Sequence, residues 1–142
     1  EGVACVEKIA GLSRAHALDK NAVPGCTYSH PQIASVGLTQ QQAIAQGYSI
    51  KVGKLDLNSV GKAIAIGDSH GFVKTIFDAQ SGELLGAHMI GPDVTELIQG
   101  YTIAKGLEST EQELINTVFA HPTLSEAMHE SVLDAYGMAL HQ

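Results

Sequence analysis

The apolar positions of this chain repeat with two different periods, which separate it into strands and helices. Residues 48–57 alternate apolar and polar side chains, so we predict a β-strand with one buried face. Two more apolar segments, 72–77 and 84–90, flank a loop that contains Ser81-Gly82. A pair of apolar segments around such a loop predicts a β-hairpin.

Helical spacing governs most of the other apolar positions. Residues 2–10 carry an apolar stripe that is closed by Gly11, as expected of a short helix. Another helix is predicted after Gly91-Pro92, with Asp93 as its cap. Three more helix starts are indicated by capping-box patterns, in which a Thr is followed three residues later by Glu or Gln. These patterns are Thr39-x-x-Gln42, Thr110-x-x-Glu113 and Thr123-x-x-Glu126.

The last three predicted helices each have an apolar stripe that we expect to face the core. The stripes are Val94, Leu97, Ile98, Tyr101 and Ile103 or Ala104; Leu114, Ile115, Val118 and Phe119; and Leu124, Ala127, Met128, Ser131, Val132, Ala135, Met138 and Ala139. Tyr48, Tyr101 and Tyr136 are interpreted as packing residues.

The predicted elements are segregated along the chain, with strands before the final run of helices. Strand-like segments at 26–29 and 33–36 lie on either side of His30-Pro31, which is interpreted as a turn, whereas residues 58–70 fit neither period. Segregated strands and helices indicate the α+β class. We therefore predict an antiparallel sheet with flanking helices.

Composition excludes several functions. The 142 residues carry a net charge of −7, with 44% hydrophobic and 16% charged residues. Without a basic cluster, nothing favours binding to nucleic acid or to an anionic membrane. The low charged fraction fits a domain that covers part of its surface with a partner, and equally a bland surface. Cys5 and Cys26 are far apart in sequence, so two free thiols are favoured over a disulfide.

The most informative segment is His121-Pro122-Thr123-Leu124-Ser125-Glu126. Pro122 suits the first turn of a helix, and Glu126 is close enough in sequence to accept a hydrogen bond from the His121 ring. A carboxylate on one imidazole nitrogen fixes the tautomer and makes the other nitrogen a better base. The alternative is that Glu126 only closes the capping box with Thr123. No nucleophile accompanies the pair, so the pattern alone gives an incomplete active site.

Two other candidate sites are weaker. Residues 61–68 are glycine-containing but match no phosphate-binding loop, so a structural turn is the favoured interpretation. The seven histidines lack the spacing of a zinc site, and we expect no metal.

The His121 segment resembles the C-terminal signature of the flavin-dependent disulfide reductases, in the form found in the branch that oxidises dihydrolipoamide. The resemblance continues through residues 28–37, 71–74 and 85–92, which are similar to the interface strands of that family, and through Glu96-Leu97-Ile98. Many members have Asn-Ser-Arg-Ala where this chain has residues 59–63. That departure, together with residues 94–100, resembles the version that serves a pyruvate or related 2-oxo acid dehydrogenase complex.

The resemblance implies that residues 21–142 form the FAD/NAD-linked reductase type of dimerisation domain, preceded at 1–20 by a remnant of the FAD domain's last helix and its linker. In such a homodimer, His121 supported by Glu126 acts as acid and base at the partner subunit's disulfide, and the main chain of His121 and Pro122 lies near the partner's FAD.

The same resemblance implies FAD and NAD as cofactors of the intact enzyme, although we expect neither to bind this fragment, which should be inactive alone. The implied partner is the lipoyl carrier domain of the complex. The implied location is the bacterial cytoplasm, or the mitochondrial matrix in a eukaryote, with no targeting segment within this chain. The alternative hypothesis is a free-standing homodimerisation module without catalysis.

Overall fold

A computed structural model describes residues 2–12 and 19–141 and contains one five-stranded antiparallel sheet. The strands are β1 (Gly25–Thr27), β2 (Gln32–Gly37), β3 (Ile50–Asp56), β4 (Phe72–Asp78) and β5 (Leu84–Gly91). Their order across the sheet is β1-β2-β5-β4-β3. The predicted hairpin is therefore confirmed as β4–β5, in which Val73 pairs with Met89.

Six α-helices accompany the sheet in the described part of the chain. They are α1 (Gly2–Ile9), α2 (Gln40–Ala45), α3 (Gly61–Ala65), α4 (Val94–Gly106), α5 (Glu111–Asn116) and α6 (Glu126–Ala135). Helix α4 packs on β2 and β5, and α6 packs on β3 and β4. The main core lies between these two helices and the sheet, which confirms the α+β prediction.

Helix α6 lies unusually close to the sheet because β3 carries a glycine at the contact. A Cβ on Gly53 would collide with the main-chain oxygen of Ser131. Beside it, the buried Thr75 hydroxyl lies 3.0 Å from the Ser131 hydroxyl. The buried Tyr101 hydroxyl donates a 2.9 Å hydrogen bond to Met128 O. These contacts fix the position of α6 on the sheet.

Two predicted capping boxes are present at the starts of α2 and α5. Asp93 lies at the predicted N-cap position of α4, but its side chain makes no capping hydrogen bond and its backbone is left-handed, with φ 54°. The sequence left either Ile103 or Ala104 as the last inward residue of α4. Ala104 is the inward one, since it is buried and Ile103 is exposed.

The stripes of the last two helices were predicted too long. Helix α5 ends at Asn116, so Val118 lies beyond it and is 93% exposed rather than inward. Helix α6 ends at Ala135, and Met138 is exposed after it. The chain at 61–65, interpreted as a turn, is the short helix α3.

The N-terminal helix was predicted correctly in extent but has no buried residue. Its apolar stripe, Val3, Val6 and Ile9, is exposed. Part of the predicted linker, residues 13–18, lies outside the described residues. Within the described ranges, no helix combines the length and apolar character needed to cross a membrane.

Candidate active site

His121 and Glu126 lie together at the start of α6. The His121 Nδ1 atom is 2.9 Å from Glu126 Oε1, and the imidazole side chain is 79% exposed. The other carboxylate oxygen, Oε2, accepts a 3.0 Å hydrogen bond from the backbone N–H of Thr123. The Glu126 carboxylate therefore accepts hydrogen bonds both from a histidine ring and from a backbone N–H just ahead of the helix.

The local backbone explains why this arrangement differs from an ordinary capping box. The Thr123 hydroxyl donates to Ala120 O at 2.6 Å, and the N-cap position of α6 is Ser125, which makes no side-chain capping bond. Because α6 starts at Glu126, the prediction that Pro122 occupies the first helical turn is wrong. Pro122 instead lies in an exposed loop with His121.

The carboxylate of Glu126 is held in its ionised form. The hydrogen bond from the Thr123 backbone N–H is the largest cause of its lowered pKa, partial burial opposes it, and the bond from His121 lowers the pKa further. An ionised carboxylate can only accept hydrogen bonds. It follows that His121 carries a proton on Nδ1, and that Nε2 is the acceptor nitrogen whenever the ring is neutral.

Both residues line an open cavity of about 640 Å³. Its lining includes apolar side chains, among them Leu55, Val60 and Ile64, as well as ionisable ones. The exposed imidazole and apolar side chains therefore line the same open space. The full lining is Leu55, Ser59, Val60, Gly61, Ile64, Ile115, Asn116, Thr117, Val118, Phe119, His121, Glu126, His129, Glu130 and His141.

Three ionisable lining residues were not predicted as part of this site. His129 Nε2 is 3.0 Å from Ile115 O, and its ring stacks on Phe119 with centroids 5.0 Å apart. Glu130 lies one helical turn after Glu126 and bonds His141 Nδ1 at 3.1 Å. The i, i+4 spacing of the two glutamates was a usable signal, but it does not identify His141, eleven residues further on.

The other candidates from the sequence, His30, Cys5 and Cys26, are not among the residues that line the cavity. His30 lies 3.9 Å from Asp68 and is 86% exposed. Cys5 is exposed, Cys26 is half-buried, and both are free thiols. Among residues 2–12 and 19–141, no group of three or more His, Cys, Asp or Glu side chains is arranged to hold a metal ion.

Tyr101 is buried in the core as predicted, whereas Tyr136 is only partly buried. Burial raises the pKa of Tyr101, whose hydroxyl lies in the core. Partial burial, and then the charges of Glu111 and Asp78, raise the pKa of Tyr136 to about 12. Tyr136 contacts Phe77 edge-on and lies under the Lys51 ammonium, which supports the packing interpretation.

The sheet, its two covering helices and the exposed His–Glu pair define a class of protein. Residues 23–132 match the family model described as pyridine nucleotide-disulphide oxidoreductase, dimerisation domain. The chain belongs to this family, and the resemblance noted from the sequence is confirmed.

Within that family, the similar curated proteins are dihydrolipoyl dehydrogenases. That of Zymomonas mobilis is 60% identical over 99% of this chain, and that of Bacillus subtilis is 48% identical over 99% of it. This chain covers only 30% of the length of each of these relatives.

Solved structures agree on the fold. LpdA from Mycobacterium tuberculosis superimposes with a TM-score of 0.82 at 25% identity, covering 90% of this chain and 28% of that one. The Cu(II) complex of RclA, an HOCl-induced flavoprotein disulfide reductase from Escherichia coli, superimposes with a TM-score of 0.83 at 25% identity. It covers 92% of this chain and 30% of the RclA chain.

Proposed function

We propose that this chain is the dimerisation domain of a dihydrolipoyl dehydrogenase and supplies its acid–base group. The observation that carries the proposal is the exposed His121 imidazole, held by Glu126 at 2.9 Å beside an open cavity. The similarity to dihydrolipoyl dehydrogenases over 99% of the chain supports the same assignment.

In the proposed reaction, His121 Nε2 takes the proton of a dihydrolipoamide thiol. The thiolate attacks one sulfur of a disulfide in another domain, and the second thiolate then closes the lipoyl ring. The disulfide is reduced to two thiols, so two electrons leave the substrate. Glu126 keeps the Nδ1 proton of His121 in place and stabilises the imidazolium that forms. Apolar lining residues such as Leu55, Val60 and Ile64 would suit the hydrocarbon chain of the substrate.

The cofactors of the proposed enzyme are FAD and NAD. His121 and Pro122 lie in an exposed loop, so the backbone there is open to a group carried by a second subunit, as contact with FAD would require. FAD, when bound in the intact enzyme, would supply the two-electron acceptor chemistry that links the reduced disulfide to NAD. His121 would meanwhile release the substrate proton to solvent through its exposed edge.

The proposal includes a homodimer in which His121 serves the partner subunit. Large apolar side chains such as Val118 and Leu140 are 93% and 80% exposed, and exposed apolar surface of this kind fits a covered interface. The uncovered stripe of α1 supports assigning residues 1–20 to the end of a preceding FAD domain, with 21–142 as the dimerisation domain.

Finer assignments follow the sequence resemblance. Residues 59–63 and 94–100 favour service to a pyruvate or related 2-oxo acid dehydrogenase complex, with its lipoyl carrier domain as partner. The bacterial sources of the similar proteins favour the cytoplasm over the mitochondrial matrix.

The deciding experiment replaces His121 in the full-length protein. His121→Gln keeps a polar side chain but removes the base, so NAD-dependent oxidation of dihydrolipoamide should slow by about 10²–10⁴-fold. His70→Gln is the matched control, because His70 is exposed and outside the cavity lining. A wild-type rate for His121→Gln would refute the proposed role and favour a dimerisation module without catalysis.

A further inference from the structure

The cavity that contains His121 also contains a second histidine–carboxylate pair. His141 Nδ1 lies 3.1 Å from Glu130 Oε1, and both residues line the same space as His121 and Glu126. The two glutamates lie one turn apart on α6, so one helix presents two carboxylates, each bonded to a histidine from a neighbouring segment.

Glu130 binds the segment after α6 at three points. In addition to the His141 ring, its Oε2 atom accepts from the backbone N–H of Leu140 at 3.0 Å and from that of His141 at 3.3 Å. The Glu130 side chain is only 11% exposed. Three hydrogen bonds to a largely buried carboxylate fix the position of this segment, whose His141 lines the cavity.

The three hydrogen bonds also affect the ionisation of Glu130. Burial raises the pKa of Glu130, but the bonds from His141 and from the two backbone amides outweigh it, so the pKa is lowered. The ionised carboxylate therefore accepts a hydrogen bond from His141 Nδ1–H, which leaves Nε2 of a ring that is 64% exposed for contact with a ligand.

The two pairs also act on each other. The charge of His141 is the smallest of the causes that lower the pKa of Glu126. His141 also lines the same cavity as the proposed acid–base pair.

We propose that Glu130 is a positioning residue that holds His141 in the cavity, and that His141 Nε2 contributes a hydrogen bond to the polar carboxamide end of a dithiol substrate. This inference rests on the proposed function, because it assumes that the cavity takes dihydrolipoamide. It adds a substrate-binding role to a residue outside the matched family segment, which ends at residue 132.

The test measures steady-state kinetics of the full-length holoenzyme with dihydrolipoamide as the varied substrate. A lost hydrogen bond of this kind corresponds to a two- to tenfold change in binding, as an order of magnitude. We therefore expect His141→Gln to raise KM about two- to tenfold and to change kcat less. His70→Gln should leave both constants unchanged.

Glu130→Gln tests the positioning role. It should raise KM to a similar extent, and the double variant Glu130→Gln/His141→Gln should be no worse than the more affected single variant, because both changes remove one interaction. Effects that multiply in the double variant would overturn the positioning role. Since Glu130 is largely buried, His141→Gln decides the substrate contact if Glu130→Gln does not fold.

The outcome is distinguishable from failure of the proposed function. A wild-type KM for His141→Gln, with the reaction still slowed by His121→Gln, would overturn this inference alone. If His121→Gln left the reaction unchanged, the acid–base proposal would fail first, whatever the result at His141.

Discussion

Helices α5 and α6 start from the same four-residue pattern but use it differently. At α5, the Thr110 hydroxyl accepts from the Gln112 backbone N–H, and Glu113 Oε2 accepts from the Thr110 N–H at 2.7 Å. At α6, the backbone bond from Thr123 to Glu126 is kept. The Thr123 hydroxyl, however, turns away to Ala120 O.

The residue that lies five positions before each glutamate also differs. That residue is Glu108 ahead of Glu113 and His121 ahead of Glu126. Of these two side chains, only the imidazole can donate a hydrogen bond to a carboxylate, so Glu126 has a side-chain partner there that Glu108 cannot provide for Glu113. The capping pattern is therefore compatible with either role, and the preceding histidine decides between them.

The largest expected effect comes from disturbing the packing of α6 on the sheet. Gly53→Ala places a Cβ against Ser131 O, a main-chain atom that cannot rotate away. We expect a loss of about 3 kcal/mol in the free energy of unfolding, measured by denaturant titration. Gly61→Ala is the control, since a Cβ there meets nothing within 4 Å. Equal stability of the two variants would contradict the close approach of α6.

A smaller effect is expected when the glutamate at the start of α6, Glu126, is replaced and compared with the same change at Glu113 of α5. Glu126→Gln can still accept from the Thr123 N–H but no longer offers a charged acceptor to His121. We expect the full-length protein to oxidise dihydrolipoamide about tenfold more slowly, in the lower range for partners that orient a histidine. Glu113→Gln, at the α5 start, should leave the rate unchanged. Equal rates for the two variants would make the starts of α5 and α6 functionally equivalent.

The smallest effect should come from the α5 start itself. Thr110→Ala removes the hydroxyl that accepts from Gln112 and should lower stability by about 1 kcal/mol without changing turnover. Thr110→Ser, which keeps the hydroxyl, should behave like the wild type in the same denaturant titration. A slower reaction in the Thr110→Ala variant would mean that α5 is coupled to the cavity.

Local sequence was sufficient for features whose causes are local. The β4–β5 hairpin and the boxes at α2 and α5 depend on residues a few positions apart, and they were predicted correctly. Val118 was misplaced because periodicity does not say where a helix stops, and α5 ends before it. Asp93 was placed correctly at the N-cap of α4, but its side-chain type did not reveal the left-handed backbone or the missing capping bond.

The candidate site likewise has features that depend on nearby residues and features that depend on distant ones. The contact of His121 with Glu126 spans five residues and could be anticipated, whereas the cavity requires α3, the segment after α5 and the segment after α6 to meet. Glu130 looked like an ordinary helix-surface glutamate in the sequence. Its low exposure depends on the chain folding back over it, which no spacing rule predicts.

Because the Glu126 carboxylate binds both His121 and the Thr123 backbone, its side chain loses its conformational freedom during folding and not during substrate binding. A free glutamate side chain keeps several rotamers, and fixing it costs up to ~2 kcal/mol. Here Oε2 is already bound to the Thr123 backbone, so that freedom is lost once, when the polypeptide folds. The His121 imidazole therefore bonds to an acceptor that is already fixed before a ligand binds. The orientation of the ring is set in advance, so no further ordering is needed at each binding event.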